Sequence, residues 1–191
     1  MEDRWSALAQ SAARREGPKV RIAIIITGAA DHADRAVAEW LAGRVHARGD
    51  AEVDLLDLGA ACLPDRPAAH LPTPPAVRDL TPWLGAANGF LLVLPGTPPD
   101  QVRRAVSWCG DCWRAKPVGL IWYGVVPDAE GEVCALEVRS LLDSVGAVTI
   151  GEAVRFADSD RSGQADLMLA ELVSRAREVP DTPCTAETPL E

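Results

Sequence analysis

Lysine is nearly absent from this chain of 191 residues. Lys19 and Lys116 are the only two, so arginine supplies 17 of the 19 basic residues. The 28 acidic residues outnumber them and give a formal net charge of −9. No long basic run is present. Because neutralising phosphates requires clustered lysine or arginine, this balance argues against a nucleic-acid-binding protein.

Long apolar runs are also missing. No stretch approaches the roughly 20 apolar residues that span a bilayer, and residues 1–17 lack the continuous apolar segment of a secretory signal. The apolar fraction of 48% still suffices for a buried core. We therefore expect a soluble, cytoplasmic protein with no membrane partner and one main domain at residues 18–179. A helical extension at 1–17 would precede it, and a disordered tail at 180–191 would follow.

The five cysteines do not space out as a disulfide framework, and their odd number is typical of free thiols in a reducing compartment. Cys109 and Cys112 form a C-x-x-C motif, which in redox proteins lies at a helix N-terminus. Here the motif follows a helical run, and Cys109 shares an apolar face with Val102 and Val106. This pattern favours core packing over a catalytic dithiol. No further Cys or His pair has the spacing of a zinc site.

Two periodicities alternate along the chain. The β-branched run at 19–27 ends at Gly28 and predicts a strand buried on both faces. Residues 34–48 then place Val37, Leu41 and Val45 at helical spacing before Gly49. Further strands are predicted at 51–58, 89–95, 116–123 and 147–150. Further helices are predicted at 76–87, 100–113, 130–144 and 164–178. Residues 60–75 are rich in proline and are predicted to form a surface loop.

This alternation predicts an α/β fold with a parallel sheet and helices on both of its faces. Five strands favour a flavodoxin-like three-layer α/β/α sandwich with the strand order 2-1-3-4-5. Ligands of such folds bind at the carboxyl ends of the strands, beside the point where the strand order reverses. Three loops form that edge here: the first loop at 27–35, the second at 95–100 and the third at 124–131.

Short motifs lie at the ends of these elements. Thr27-Gly28 ends the first strand, Asp54-Leu55-Leu56-Asp57 the second, and Leu94-Pro95 the third. Others are Ala87-Asn88-Gly89, Val106-Ser107-Trp108, Ala115-Lys116-Pro117-Val118 and residues 136–148. In these motifs the chain resembles the NADPH-dependent FMN reductase family, flavodoxin-like flavin and quinone reductases. The resemblance implies FMN as cofactor, NAD(P)H as reductant, a small-molecule substrate and a homodimer.

The first loop departs from the family pattern. The resemblance implies Gly-Ser-x-Arg-x-x-Ser, which holds the FMN phosphate beside a helix N-terminus. Here Ala29 stands at the first serine, Asp31 at the arginine and Asp34 at the second serine. Arg35 would point down the helix, away from the anchor position. Carboxylates therefore replace the donors and would repel a phosphate dianion.

The other two loops are altered as well. The family's Pro-Glu-Tyr-Asn is replaced by Pro95-Gly96-Thr97-Pro98, which has no aromatic ring to stack on a flavin. In the third loop the glycine pair becomes Gly124-Val125, and Tyr123 before it could offer a replacement edge. The cofactor-binding residues that the resemblance implies are Thr27, Gly28, Ala29, Asp31, Asp34, Arg35, Pro95, Gly96, Thr97, Pro98, Tyr123, Gly124 and Val125.

The charged residues near this edge have two interpretations each. Asp31 and Asp34 could simply stabilise a helix start. Alternatively, Asp31, His32 and Asp34 could serve a cationic substrate or act as acid and base. No further ligand accompanies them, so no metal is predicted. Arg103 and Arg104 lie either on a solvated face or beside the first loop, replacing its lost positive charge.

Two functions follow from the sequence. The first is an NAD(P)H-dependent FMN oxidoreductase with impaired or altered flavin binding. The second is a flavodoxin-like protein that has lost FMN and acts as a partner protein or as a cofactor-independent enzyme on a small substrate.

Overall fold

The computed structural model describes residues 19–28, 32–65, 72–95, 99–124, 128–156, 161–180 and 184. Strands and helices alternate along them. The strands are β1 (Val20–Ile26), β2 (Ala51–Asp57), β3 (Gly89–Leu94), β4 (Pro117–Trp122), β5 (Val148–Thr149) and β6 (Val154–Arg155). The helices are α1 (His32–Arg48), α2 (Leu58–Ala61), α3 (Pro75–Ala86), α4 (Asp100–Cys109), α5 (Asp128–Ser144) and α6 (Arg161–Ala176), with a 3₁₀ turn at Gly110–Trp113.

The sheet is parallel throughout its described pairs, and its order is β2-β1-β3-β4-β5. This confirms the predicted flavodoxin-like order. β1 lies inside the sheet between β2 and β3, where Ile24 pairs with Leu55 on one side and with Leu91 on the other. Apolar residues fill this strand because helices cover both faces of the sheet.

Two apolar clusters lie on opposite faces of the sheet. On one face, α1 and α6 cover the strands, and Leu41 and Leu172 join Ile22 and Ile24. On the other face, Leu84, Val102 and Val138 from α3, α4 and α5 pack on β1, β3 and β4. The alternating side chains of a strand explain this division, because neighbouring residues point to opposite faces.

Two elements differ from the sequence-based expectation. The predicted loop at 60–75 is preceded and partly occupied by the short helix α2, because the Asp57 side chain accepts a hydrogen bond from the Ala60 N–H (2.9 Å) and caps the helix start. The fifth strand is split into β5 and β6, which pair with opposite ends of β4. Gly151 adopts a positive φ of 55° between them, so the chain turns out of the sheet and returns.

One cysteine expectation is wrong. Cys112 is bonded to Cys184, 72 residues away, so these thiols are not free. Spacing alone could not show this pairing, because the partner lies beyond the last helix. Cys109 and Cys112 are buried in the core as expected. The predicted N-terminal extension lies outside the described residues, as does most of the predicted tail apart from Pro180 and Cys184, and both stay predictions.

Among the described helices, none has the length and apolar content needed to cross a membrane.

Candidate functional site

The carboxyl ends of β1, β3 and β4 meet at one edge of the sheet. The backbone N–H of Thr27 donates to the Val93 carbonyl (3.3 Å), and the Tyr123 N–H donates to the Leu94 carbonyl (2.9 Å). These bonds continue the strand ladder just beyond the last paired residues. The three predicted ligand loops therefore leave the sheet side by side, at the crevice where the strand order reverses.

The Thr27 side chain also makes a hydrogen bond to a strand of this sheet. Its hydroxyl donates to the Val93 carbonyl (2.8 Å), and the residue is buried. The hydroxyl proton is therefore used inside the protein and is not available to a phosphate oxygen. Thr27 fixes the start of the first loop rather than providing a donor to a ligand.

Asp34 lies against the backbone of Gly28. Asp34 is in the first turn of α1 and is only 1% exposed. A Cβ placed on Gly28 would lie 1.8 Å from Oδ2 of Asp34, so only glycine leaves room for this carboxylate. The space lies between the end of β1 and the N-terminus of α1, where backbone N–H groups and the helix dipole favour an anion. The Asp34 side chain fills this space.

Arg35 lies along the helix, as expected from the sequence. Its Nε is 3.1 Å from Oε1 of Glu39, one turn further on, and both side chains are exposed. The guanidinium therefore belongs to an ion pair on the surface of α1. It does not accompany Asp34 at the buried start of the helix.

Arg103 and Arg104 are also paired away from the first loop. Arg103 bonds to Glu137 of α5, and Arg104 Nε is 2.6 Å from Oδ1 of Asp65. The Trp108 indole N–H, on the same helix, donates to the Pro64 carbonyl (3.0 Å). These contacts hold the segment after α2 against α4. The interpretation of the two arginines as surface residues is therefore the better one.

The third loop begins with a buried ring. Tyr123 packs into the cluster beneath α1 and α6, so its ring is part of the core and does not provide an exposed edge. Gly124 follows, exposed, with a φ of 128° that favours glycine. Glycine is thus required at this position, as the family pattern implies, whereas the expected role of Tyr123 does not match its burial.

Several predicted site residues lie outside the described residues. The structure describes the backbone of His32 at the start of α1 and the half-buried Pro95 at the end of β3. The proposed grouping of Asp31, His32 and Asp34 therefore stays a prediction. The residues outside are Ala29, Asp31, Gly96, Thr97, Pro98 and Val125. Within the described part of the chain, no three His, Cys, Asp or Glu residues group as metal ligands would.

The C-x-x-C motif does not form a reactive dithiol. Burial raises the pKa of the Cys109 thiol, and a hydrogen bond with Thr81 (3.6 Å) only partly opposes this shift. The neighbouring Cys112 is bonded to Cys184. A thiolate is therefore disfavoured at Cys109 near neutral pH.

A groove beside the end of β4 was not anticipated from the sequence. It has a volume of about 630 Å³ and is lined by Trp122, Arg139 and Arg155, among others. The Arg155 guanidinium stacks over the Trp122 ring (5.1 Å), and Arg139 donates to the Gly151 carbonyl (2.9 Å). The groove follows from the break between β5 and β6. Gly151, directly after the predicted strand at 147–150, marks the position of this break in the sequence.

Three described residues beside the first loop already make contacts inside the protein. The Thr27 hydroxyl donates to the Val93 carbonyl, Arg35 is paired with Glu39, and the Asp34 side chain lies against the backbone of Gly28. The edge of the sheet is formed like a cofactor crevice.

A parallel sheet in the order 2-1-3-4-5, with its ligand crevice beyond β1 and β3, defines a flavodoxin-like protein. The chain belongs to the NADPH-dependent FMN reductase family, whose model matches residues 20–161. No curated protein sequence matches the chain.

Solved structures share the fold at low sequence identity. The chain is similar to FerB, a flavoenzyme NAD(P)H:(acceptor) oxidoreductase from Paracoccus denitrificans, with a TM-score of 0.65, 17% identity and coverage of 84% of this chain and 98% of that one. It is similar to the apo form of the NADH:FMN oxidoreductase EMOB (TM-score 0.64, 14% identity, coverage 88% and 94%). A WrbA-like flavodoxin from Agrobacterium tumefaciens gives a TM-score of 0.60 (15% identity, coverage 85% and 100%).

Proposed function

We propose that the protein is a flavin oxidoreductase that uses NAD(P)H and passes electrons to a small-molecule acceptor such as a quinone. The observation that carries the proposal is the crevice at the ends of β1, β3 and β4 in a chain of the FMN reductase family. A bound flavin would supply the hydride chemistry. The protein would supply the position of the ring, for which Gly124 leaves the backbone open to close approach.

Flavin titration tests this proposal. Binding of a flavin in the crevice should quench its fluorescence, and the protein should oxidise NADH or NADPH only when flavin and an acceptor are present. Gly124→Val is a suitable variant, because a β-branched side chain is strained at a φ of 128° and would enter the approach to the ring. We expect it to weaken flavin binding and activity together. The melting temperature of the variant, measured by circular dichroism, shows whether it is folded. A protein that binds no flavin in any form contradicts the proposal.

A flavin-free partner or binding protein is the second candidate function. The observation that favours it is the buried Asp34 side chain against Gly28, at the start of the loop where the family pattern has donors for a phosphate. In this case Asp31, His32 and Asp34 would act on a small substrate as a cation-binding group or as acid and base. We also propose a cytoplasmic homodimer, and light scattering coupled to gel filtration would measure the mass of the assembly directly.

A further inference from the structure

The two edges of the sheet differ in how open they are to pairing with another strand. One edge is interrupted, because β5 and β6 have two residues each and the chain turns away between them at Gly151. The other edge is β2, which keeps an unbroken register with β1 over seven residues and, within the described part of the chain, pairs with no other strand. Short length, lysine, proline or a bulge commonly protects an edge strand. β2 has none of these features.

A groove runs along this free edge. It has a volume of about 930 Å³, and its lining includes the consecutive residues Val53–Asp57 of β2 with Leu80 and Trp83 of α3. Val53 packs on the face of the sheet that α1 and α6 cover, whereas Leu56 packs on the face that α3 covers. Because side chains of both faces line the groove, the backbone edge of β2 lies in it. Alternate N–H and C=O groups of an edge strand point away from the sheet there.

On the face that α3 covers, the groove is acidic and aromatic. Asp54 shares this face with Leu56, and Asp79 and Trp83 lie one turn apart on α3. Trp83 is 51% exposed. Arg21 of β1 lies 3.5 Å from Asp54, but no basic side chain is among the described residues that line the groove. Carboxylates beside an exposed indole ring favour a guanidinium group, which pairs with the carboxylates and stacks on the ring.

On the opposite face the groove is apolar. Val53 and Leu55 point to this face, and Leu55 is 42% exposed. A strand added beside β2 alternates its side chains between the same two faces. Its basic residues would therefore meet Asp54 and Asp79, while its apolar residues cover Leu55.

We propose that the free edge of β2 is a docking site for an extended segment of a partner protein, in which basic and apolar residues alternate and which adds a strand to the sheet. Main-chain hydrogen bonds hold the segment, and the two faces of the groove select its side chains. This inference does not depend on whether the crevice at the other strands binds a flavin.

Fluorescence anisotropy of a labelled synthetic peptide, with about ten alternating arginine and valine residues, tests the docking site on the full chain. Asp79→Asn should weaken its binding about fivefold and Trp83→Ala about tenfold. Glu178→Gln and Leu167→Ala are the matched controls, because they remove one exposed charge and one exposed apolar side chain at α6, and they should bind like wild type. Absence of binding to wild type at about 1 mM peptide, or equal binding by Asp79→Asn and Glu178→Gln, overturns the proposal.

Backbone methylation separates strand addition from simple attraction between charges. Two further peptides carry N-methyl groups, one on its arginines and the other on its valines, so each loses the N–H donors of one edge and keeps every side chain. One of them should bind at least about tenfold more weakly than the parent peptide, and the other should bind like it. Equal affinities of the two methylated peptides overturn strand addition.

Light scattering decides whether a second copy of the chain occupies the edge instead. Leu55→Lys places a positive charge in the groove at an exposed position. It should weaken binding of the parent peptide about fivefold or more and leave the mass of the protein in solution unchanged. A fall from dimer to monomer in this variant would show that β2 pairs with a second copy, which overturns the proposal.

Discussion

Gly28 and Asp34 are in contact at the start of α1, and each limits which residue the other position can hold. Gly28 is needed because a side chain there would occupy the space of the buried Asp34 carboxyl group, and aspartate is well suited to the first turn of a helix. The two residues therefore form one unit. A substitution at either position should therefore change the packing of the other residue.

Gly28→Ala tests this unit. The new Cβ would lie 1.8 Å from Asp34 Oδ2, so the carboxylate must shift. We expect the free energy of unfolding to fall by about 1–3 kcal/mol, the usual cost of overpacking, measured by guanidinium denaturation. Gly43→Ala is the matched control: nothing lies within 4 Å of its added Cβ, and alanine in a helix is favourable by up to about 1 kcal/mol.

A double-mutant cycle identifies the cause. In the Asp34→Ser background the shorter side chain leaves room for the alanine methyl group, so Gly28→Ala should cost clearly less than in wild type. An equal cost in both backgrounds would show that the loss has a different origin.

Lys116 shows how a scarce residue type can have a structural use. It is buried, and its Nζ donates to the Leu84 and Gly85 carbonyls (2.9 Å each) at the end of α3. Lys116→Met keeps the length of the side chain and removes both hydrogen bonds. We expect a loss of about 1–3 kcal/mol in the free energy of unfolding, because buried carbonyl groups lose their donor.

Lys19→Met is the control for this substitution, since Lys19 is exposed and is the only other lysine. Exposed changes of this kind stay within about 0.5 kcal/mol. Similar effects of the two substitutions on chemical denaturation would contradict a structural role for the Lys116 ammonium group.

At the scale of elements, the regular parts of the fold could be predicted because their signals are local. The apolar run of β1 and the helical spacing of Val37, Leu41 and Val45 lie within single segments. The split between β5 and β6 could not be predicted in the same way, because two-residue strands carry no periodicity. The candidate edge followed from topology, but the burial of Asp34 and Tyr123 depends on packing between distant segments.

The Cys112–Cys184 disulfide ties the segment after α6 to the core. Cys184 packs beside Gly85, at the end of α3, and Cys112 lies fully buried in the 3₁₀ turn. A link across 72 residues lowers the conformational entropy of the unfolded chain, and in the chain-entropy description this stabilises the fold by about 4 kcal/mol. A reductant should therefore lower the melting temperature measured by circular dichroism.

Cys184→Ser should show that lower melting temperature without reductant and no further response to it. Cys62→Ser, which changes an exposed free thiol, should behave like wild type in both conditions. A reductant effect that persists in Cys184→Ser would have to come from another group.

At the scale of the whole molecule, contacts between the first and last helices close one face of the sandwich. Arg44 of α1 bonds to Asp166 of α6 through two pairs of atoms, with Nε–Oδ1 at 2.8 Å. The same guanidinium lies 4.9 Å from the Trp40 ring centroid, and Trp40 meets Phe156 edge to face (5.2 Å). Residues 122 positions apart are thus held together above β1. This surface cluster complements the apolar contacts below it.

The ion pair makes a small part of the stability depend on pH. The hydrogen bond from Arg44 lowers the pKa of the Asp166 carboxyl below its ordinary value of about 3.9. A carboxyl whose pKa is lower in the folded state stabilises the fold at pH values above its unfolded pKa, and this contribution is lost as the pH falls through the folded pKa. Because the Asp166 side chain is 51% exposed, we expect less than about 1 kcal/mol. Denaturant unfolding should show Asp166→Asn to be less stable than wild type at pH 7, with the difference shrinking as the pH falls through the folded pKa of Asp166. A difference of equal size at neutral and at acid pH would mean that the contribution of Asp166 does not come from its charge.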